Sequence, residues 1–350
     1  MMTTECRWTR RRFLGSIGAL AGVAVPLTAL SATKPEEMTY STYGGDYGNW
    51  FKSVFEEPFT QATGIQMVHD IGQNPQRYAK MKAYRAHPRF QLANLQDRYL
   101  FEATRDGLLD TIDYSLVPNA AAIPGTYKKP TWLGYMYLSV GMIYNSKNVH
   151  EPPHNWTDLL NDRYKGRIFI DSFNHFGMQI LVAMSFANGG SYANMKPGFK
   201  LIREMAKRLK PVFISTSQQG MQLLRSGQVD VAAWQNARAF ILKRSGLPIE
   251  YVAPETGDVP VTYGNAIVKN SGGKKWSEAF LNYTASPKLQ GKLVSGKYPA
   301  NPTNPDATPS AEVAKLIARP AGAKQVVLDY AEVLPRLADW SKLWNEAIAG

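Results

Sequence analysis

Two hydrophobic periodicities alternate along the chain between about residue 38 and residue 270. Residues 38–43, Met-Thr-Tyr-Ser-Thr-Tyr, read as a strand, and Gly44-Gly45-Asp46 follows as a tight turn. Trp50, Phe51, Val54, Phe55 and Phe59 then recur at the three-and-four spacing of one helix face. Pro58, which has no N–H to donate, is expected to kink or interrupt that helix, and Gly64 is placed to cap its end. Further strands are read at 65–71, 90–95, 135–144, 167–171, 229–234, 249–253 and 263–268. Helices are read at 77–85, 99–105, 177–188, 198–209, 218–226 and 237–245. Near the end of the chain, Leu334, Leu337, Trp340, Leu343 and Trp344 recur at helical intervals, which predicts a C-terminal helix packed on the body. Strands alternating with helices imply an α/β fold with a largely parallel sheet. Glu151-Pro152-Pro153-His154 marks a boundary between two lobes in a chain of 350 residues, long enough for two domains of common size.

The first 31 residues read differently. Thr9-Arg10-Arg11-Arg12-Phe13-Leu14-Gly15 precedes an apolar run over residues 17–30, interrupted by Gly18, Gly22 and Pro26 and ending in Ala29-Leu30-Ser31-Ala32. A charged start, a moderate apolar stretch and small residues at a cleavage point make a signal peptide. The run is shorter than the roughly 20 residues a membrane span needs. Paired arginines before Phe-Leu resemble the twin-arginine export signal, which carries folded proteins. Cleavage after Ser31 would remove Cys6, the single cysteine, leaving a chain without thiols that suits an oxidising compartment.

Composition narrows the function. The chain carries 40 Lys and Arg against 28 Asp and Glu, for +12. Three of those charges fall in the first 31 residues, and the remaining +9 is dispersed without a basic run or a basic–aromatic ladder, so nucleic acid is not an expected partner. The sequence contains no G-x-S-x-G elbow, no H-E-x-x-H helix and no phosphate-cradling G-x-x-x-x-G-K. His150 and His154 are four apart, but Pro152 and Pro153 between them preclude a regular metal-binding helix.

Several segments, in order, resemble the spermidine/putrescine-type periplasmic solute-binding proteins of ABC importers. They begin with Tyr43-Gly44-Gly45, Trp50 and Glu57-Pro58-Phe59-Thr60-Gln61-Ala62-Thr63-Gly64-Ile65. Trp156-Thr157-Asp158-Leu159-Leu160 follows, then Tyr164-Lys165-Gly166-Arg167. The stretch from Leu223-Leu224-Arg225-Ser226-Gly227 to Trp234 continues the match, with Gly246-Leu247-Pro248-Ile249 and Tyr263-Gly264-Asn265-Ala266-Ile267 after it. The resemblance implies the two-lobe periplasmic binding protein fold with an interlobe ligand cleft. On that template residues 32–144 plus 262–310 form lobe 1 and residues 145–261 plus 311–350 form lobe 2. It further implies a periplasmic, monomeric protein with no cofactor that captures a small-molecule solute and delivers it to an ABC permease, without acting as an enzyme.

Ligands of such folds sit beyond the carboxyl ends of strands and between domains. The candidate solute contacts are therefore Tyr43 and Tyr47 in the first loop, Gln96 and Arg98 after the 90–95 strand, Asp171, Trp234, Arg238 and Tyr263. Trp234 coincides with the family's ligand-stacking tryptophan, whereas Trp50, Phe51, Phe55 and Trp156 read as core. Tyr263 and His175 fall where polyamine binders carry acidic groups. Asp171 with Arg98 or Arg238 suits an amino-acid-like solute; a polyamine-like solute is the other reading. Ferric iron held by Tyr43, Tyr47 and Tyr263, or a periplasmic enzyme, are the alternatives in function. Changing Arg10, Arg11 and Arg12 together to Lys should abolish export. Periplasmic and cytoplasmic fractions would show the protein retained in the cytoplasm, and undiminished periplasmic protein would reject the twin-arginine assignment.

Overall fold

The computed structural model describes residues 33–319 and 322–349; the signal segment, with its arginines and Cys6, lies outside the described residues. Eleven strands form one hydrogen-bonded sheet: β1 (Glu37–Thr42), β2 (Gln66–Ile71), β3 (Leu92–Gln96), β4 (Lys128–Lys129), β5 (Trp132–Asn145), β6 (Ile168–Asp171), β7 (Val212–Ile214), β8 (Val231–Gln235), β9 (Ile249–Val252), β10 (Val259–Ile267) and β11 (Asn301–Pro302). Their order is β2-β1-β3-β10-β5-β8-β6-β7, with β4, β9 and β11 added along β5.

Helices cover the sheet between strands. The first half holds α1 (Gly45–Phe51), α2 (Glu57–Thr63), α3 (Asn74–Ala83) and α4 (Asp97–Arg105). The middle holds α5 (Met178–Ala187), α6 (Lys196–Leu209), α7 (Ser217–Arg225) and α8 (Asn236–Arg244). After β10 come α9 (Lys274–Ala285), α10 (Pro287–Val294), α11 (Ala311–Ile317), α12 (Tyr330–Val333) and α13 (Leu337–Ala349). Pro58 does not break its helix. A π-helical segment, Lys52–Glu56, joins α1 to α2, so the wider turn absorbs the proline at the start of α2. Gly64 ends it at φ +76°, its N–H donating to Thr60 O at 2.7 Å.

β5 and β10 are longer than their apolar cores suggested, and they join the two halves of the molecule. β5 is almost wholly buried over fourteen residues, which is why it reads as continuous rather than alternating hydrophobicity. Trp132 packs with Leu95 and Leu100 in a smaller cluster, and from Leu133 through Leu138 the strand packs with Tyr40, Phe51, Phe55, Phe59 and Phe280. From Val140 onward it packs with Trp156, Phe169, Leu181, Trp234 and Trp344. The change of core therefore falls inside β5, several residues before the proline-rich 151–154 stretch. β10 changes sides likewise: Val259 and Val261 belong to the second core and Ile267 to the first, while Tyr263 touches both.

Register fixes where the lobes meet. Gln96, the last residue of β3, pairs with Tyr263, which pairs with Met136. Gln235, the last residue of β8, pairs with Val140. β3 runs along β5 in the same direction and β8 against it, so the carboxyl ends of the two strands face each other four β5 residues apart, about 13 Å. β1 beside β3 and β6 beside β8 are parallel to their neighbours and bring Tyr43 and Asp171 to the same two rims.

Trp234 departs from expectation. It is fully buried in the second core, edge-on to Phe169 with ring centroids 5.2 Å apart, and its Nε1 has no hydrogen-bond partner. A Cβ added at Gly220 would lie 3.0 Å from its ring, so the α7 helix packs directly against the indole. One residue before the end of β8, the strand's pleat turns this side chain into the lobe instead of toward the cleft. Trp234→Ala should cost roughly 3–5 kcal/mol of stability. Denaturant unfolding measures this, and a loss below about 1 kcal/mol would return the indole to a cleft wall.

Candidate functional site

From the lobe 1 rim, four tyrosines converge. Tyr43 follows β1, and Tyr47 lies one turn later in α1 with its ring edge-on to Tyr43 at 5.7 Å. Tyr263 on β10 lies 5.9 Å from Tyr43, and Tyr298, in the loop after α10, lies 5.5 Å from Tyr47. Gln96 Nε2 donates to the Tyr263 hydroxyl at 2.8 Å. Tyr43, Tyr47, Tyr263 and Tyr298 are each partly exposed, as wall residues must be.

These rings are fixed from behind. Tyr47 and Tyr135 share a hydroxyl hydrogen bond of 2.7 Å, and Tyr135 occupies the irregularity in β5 where register with β10 shifts between Tyr263 and Gly264. The extra residue turns Tyr135 into the first core, where Asn94 Nδ2 donates to its hydroxyl at 2.9 Å. The Tyr43 hydroxyl donates to Asn74 Oδ1 at 2.8 Å, and the Arg77 guanidinium lies 4.0 Å from the centre of the Tyr43 ring. Arg77 is fully buried without a carboxylate partner and donates to Asn74 Oδ1, Ser41 O and Asn94 O. Neither Asn74 nor Arg77 was singled out from sequence. The available signal was Asn74-Pro75 opening a helix with Arg77 three residues on, which puts both side chains on one helix face.

Lobe 2 contributes Arg238, in the first turn of α8. Its guanidinium lies 5.5 Å from the Tyr298 ring centre, and it makes no ion pair with a carboxylate among the described residues. Arg98 is otherwise engaged: it pairs with Glu102 at 3.0 Å on its own helix and lies over Tyr99, so it does not join the tyrosines. Asp171 is fully buried at the end of β6, with Oδ1 2.7 Å from His175 Nδ1 and Oδ2 without a partner. No contact links it to the tyrosine group, and partly exposed His175 lies beside it.

Electrostatics follow burial. Desolvation raises the phenol pKa values of Tyr43, Tyr47 and Tyr263, outweighing the opposing field of Arg77 at Tyr43 and of Arg238 at Tyr263. These hydroxyls are neutral donors and acceptors at physiological pH. Desolvation also pushes the Asp171 carboxyl up to about 6, against the lowering effect of His175. Among the described residues no group of three or more His, Cys, Asp or Glu is placed to hold a metal ion, and no helix is long and apolar enough to cross a membrane. The arrangement offers aromatic faces, neutral hydroxyls, one amide and one guanidinium free of carboxylates.

Known proteins share this architecture. A spermidine/putrescine-binding periplasmic protein of Escherichia coli is 24% identical over 255 residues, covering 69% of this chain and 72% of the relative. A putative 2-aminoethylphosphonate-binding periplasmic protein of Salmonella typhimurium is also 24% identical, over 302 residues, covering 84% and 86%. The crystal structure of an ABC transporter protein from Clostridium perfringens superimposes with a TM-score of 0.77 at 24% identity, covering 89% of this chain and 99% of that one. Its neighbours in fold are two-lobe periplasmic binding proteins. Residues 92–320 match the model of one family over most of the sheet and both strand crossings, and the chain belongs to it: the bacterial extracellular solute-binding proteins.

Proposed function

We propose that the protein is the periplasmic solute-binding component of an ABC importer, and that its solute is a small zwitterion with an anionic end, of the amino-acid or aminophosphonate kind. The observation that carries this reading is Arg238, facing Tyr298 beside the tyrosine group and in no ion pair with a carboxylate among the described residues. A guanidinium in that state favours a carboxylate or phosphonate, which it can grip with two parallel N–H donors. The faces of Tyr43, Tyr47 and Tyr263 suit the ammonium and alkyl portions. A polyamine would need free carboxylates at the tyrosines, and Asp171, whose Oδ2 has no partner, makes no contact with that group. Asp46 pairs with Lys297, Asp97 accepts three hydrogen bonds, and one oxygen of Asp171 is held by His175. The relative named for 2-aminoethylphosphonate supports the zwitterion and the one named for spermidine and putrescine the alternative. Ferric iron is disfavoured because burial keeps the three phenols protonated.

On this reading the lobes close about the crossings near residues 138–140 of β5 and 261–263 of β10. The chain is exported through its twin-arginine segment, acts as a monomer without turning its solute over, and hands the solute to a membrane permease. Calorimetric titration with 2-aminoethylphosphonate, γ-aminobutyrate, putrescine and spermidine tests it. At least one zwitterion should bind, and Arg238→Met should weaken that binding by about 1.5–3 kcal/mol, roughly tenfold to 150-fold. Binding of a polyamine alone, indifferent to Arg238→Met, would reject the reading.

A further inference from the structure

We propose that the Asp97–Tyr330 hydrogen bond is a strap that sets the angle between the lobes, with Asp97 acting as a positioning residue for solute capture. The inference requires the two-lobe fold but no particular solute. Asp97 opens α4 directly after Gln96, on the lobe 1 rim. Tyr330 opens α12 and is buried in the second core; its neighbour Asp329 is anchored there by the Tyr192 hydroxyl, which accepts from the Asp329 N–H at 2.7 Å. The segment leading to Tyr330 runs beside the start of β10, where Val326 N donates to Asp258 O at 2.8 Å. Val326 packs against the same second core as Tyr330, so the segment belongs to lobe 2.

One carboxylate ties three of these parts together. Asp97 Oδ1 accepts from the Tyr330 hydroxyl at 2.8 Å and from the Arg98 N–H at 2.8 Å, and Oδ2 accepts from the Thr262 N–H at 3.0 Å. Thr262 lies on β10 at the crossing, next to Tyr263. One turn along α4, Phe101 stacks on the Tyr330 ring with centroids 4.9 Å apart. Lobe 1, the crossing strand and the C-terminal segment of lobe 2 therefore meet at one buried charge. With Arg98 holding the carboxylate on α4 and Thr262 holding it at the crossing, a rotation that carries Tyr330 away from α4 loosens the Tyr330 bond.

The strap depends on ionisation. A hydroxyl bonded to a carboxylate makes a charge-assisted bond, roughly twice as strong as one between neutral groups. Among the described residues no cation pairs with Asp97: Arg98, next to it, is paired with Glu102 on the same helix. The other titratable groups facing it are Tyr43 from the loop after β1, Tyr263 on β10 and Tyr330 from α12, while Gln179 of α5 adds a neutral amide beside Tyr330. Burial raises all three phenols, so none of them titrates in the acid range. Desolvation likewise pushes the Asp97 carboxyl up to about 6, against its three hydrogen bonds. Proton uptake near pH 6 therefore weakens the strap. The folded pKa lies above the ordinary value of 3.8, so between about pH 6 and 4 this group's contribution to folding stability rises as pH falls. Loosening of the strap in that window is consequently a change of lobe angle and not the onset of unfolding through Asp97.

The single cysteine, Cys6, makes the test direct. In a Cys6→Ser chain carrying Lys52→Cys on lobe 1 and Lys200→Cys on lobe 2, both exposed positions, energy transfer between dyes reads the interlobe distance without any solute. The expected result is a narrow distance distribution at pH 7.5 that broadens at pH 5. Tyr330→Phe and Asp97→Asn should broaden it at pH 7.5 and lose the pH response. Circular dichroism and melting establish that each variant is folded, and Tyr330→Phe, which removes one hydroxyl, stands if Asp97→Asn does not fold. A folded Tyr330→Phe protein with a distribution as narrow as its parent at pH 7.5 overturns the proposal. So does a parent distribution that is unchanged between the two pH values. Because no solute is added, failure of the solute assignment leaves both outcomes intact.

Discussion

The antiparallel pairing of β5 with β10 is the constraint on which the rest of the molecule depends. Both strands pass from one hydrophobic core to the other while remaining hydrogen-bonded, so the register between them sets the distance between the strand ends that face the cleft. A slip of one residue would turn every side chain to the opposite face. Close packing protects the register. A Cβ at Gly134 would come within 2.7 Å of Thr262 Cγ2, and one at Gly141 within 2.5 Å of the Tyr251 hydroxyl. Side chains at either position would push β5 away from its neighbours on the two sides of the crossing. The single irregularity, at Tyr135, falls between them and supplies the hydroxyl that holds Tyr47.

Electrostatic roles around that crossing divide by what each charge already touches. Arg77 is buried under Tyr43 and bonded to main-chain and amide oxygens, so it fixes a ring and has no reach toward a ligand. Arg98 is paired with Glu102 and is likewise occupied. Arg238 has aromatic company and no anion. The same division applies to the carboxylates: Asp97 is saturated by three donors, whereas Asp171 keeps an oxygen without a partner. A buried polar group left unpartnered is costly, typically about 1–3 kcal/mol, and Asp171 Oδ2 is in that state, whereas Arg238 is half-buried and open to solvent.

Much of the fold could be read from periodicity, because the lobes are built from short strands and amphipathic helices whose patterns differ. The helix through Trp50, Phe55 and Phe59, the cap at Gly64 and the strands around Phe169 and Ala233 all stand where their spacing placed them. The ends of β5 and β10 were not legible. Trp132, Leu133 and Val259 lie in strands buried on both faces, and burial on both faces erases the alternation that marks a strand. The lobe change had no punctuation either: it occurs within a continuous strand, and the eye is drawn instead to Pro152 and Pro153. Of the residues that strand-end reasoning singled out, Tyr43, Tyr47, Gln96 and Tyr263 lie together and Arg238 adjoins them through Tyr298. It failed for Trp234, because being near a strand end does not say which face the pleat presents. It also missed Tyr298, Asn74 and Arg77: Tyr298 meets Tyr47 from the far end of the sequence, and Asn74 and Arg77 act through each other one helix turn apart.

Asp97 shows why the crossing and the site cannot be treated separately. The residue before it, Gln96, orients Tyr263 through its amide, and the residue it binds, Thr262, precedes Tyr263 on β10. Movement of α4 relative to β10 would therefore displace the Tyr263 ring and its hydrogen bond together. Tyr263 in turn touches Tyr43, which rests on Arg77 and Asn74, and Asn74 also accepts the Gln96 N–H at 3.2 Å. The loop closes on itself: ring, amide, strand and carboxylate are each held by the next. The tyrosine wall is thus held within lobe 1, and Asp97 joins it to Tyr330 of lobe 2. On the proposal that the Asp97–Tyr330 bond sets the lobe angle, that angle and the shape of the tyrosine wall are coupled through hydrogen bonds already made before any solute arrives.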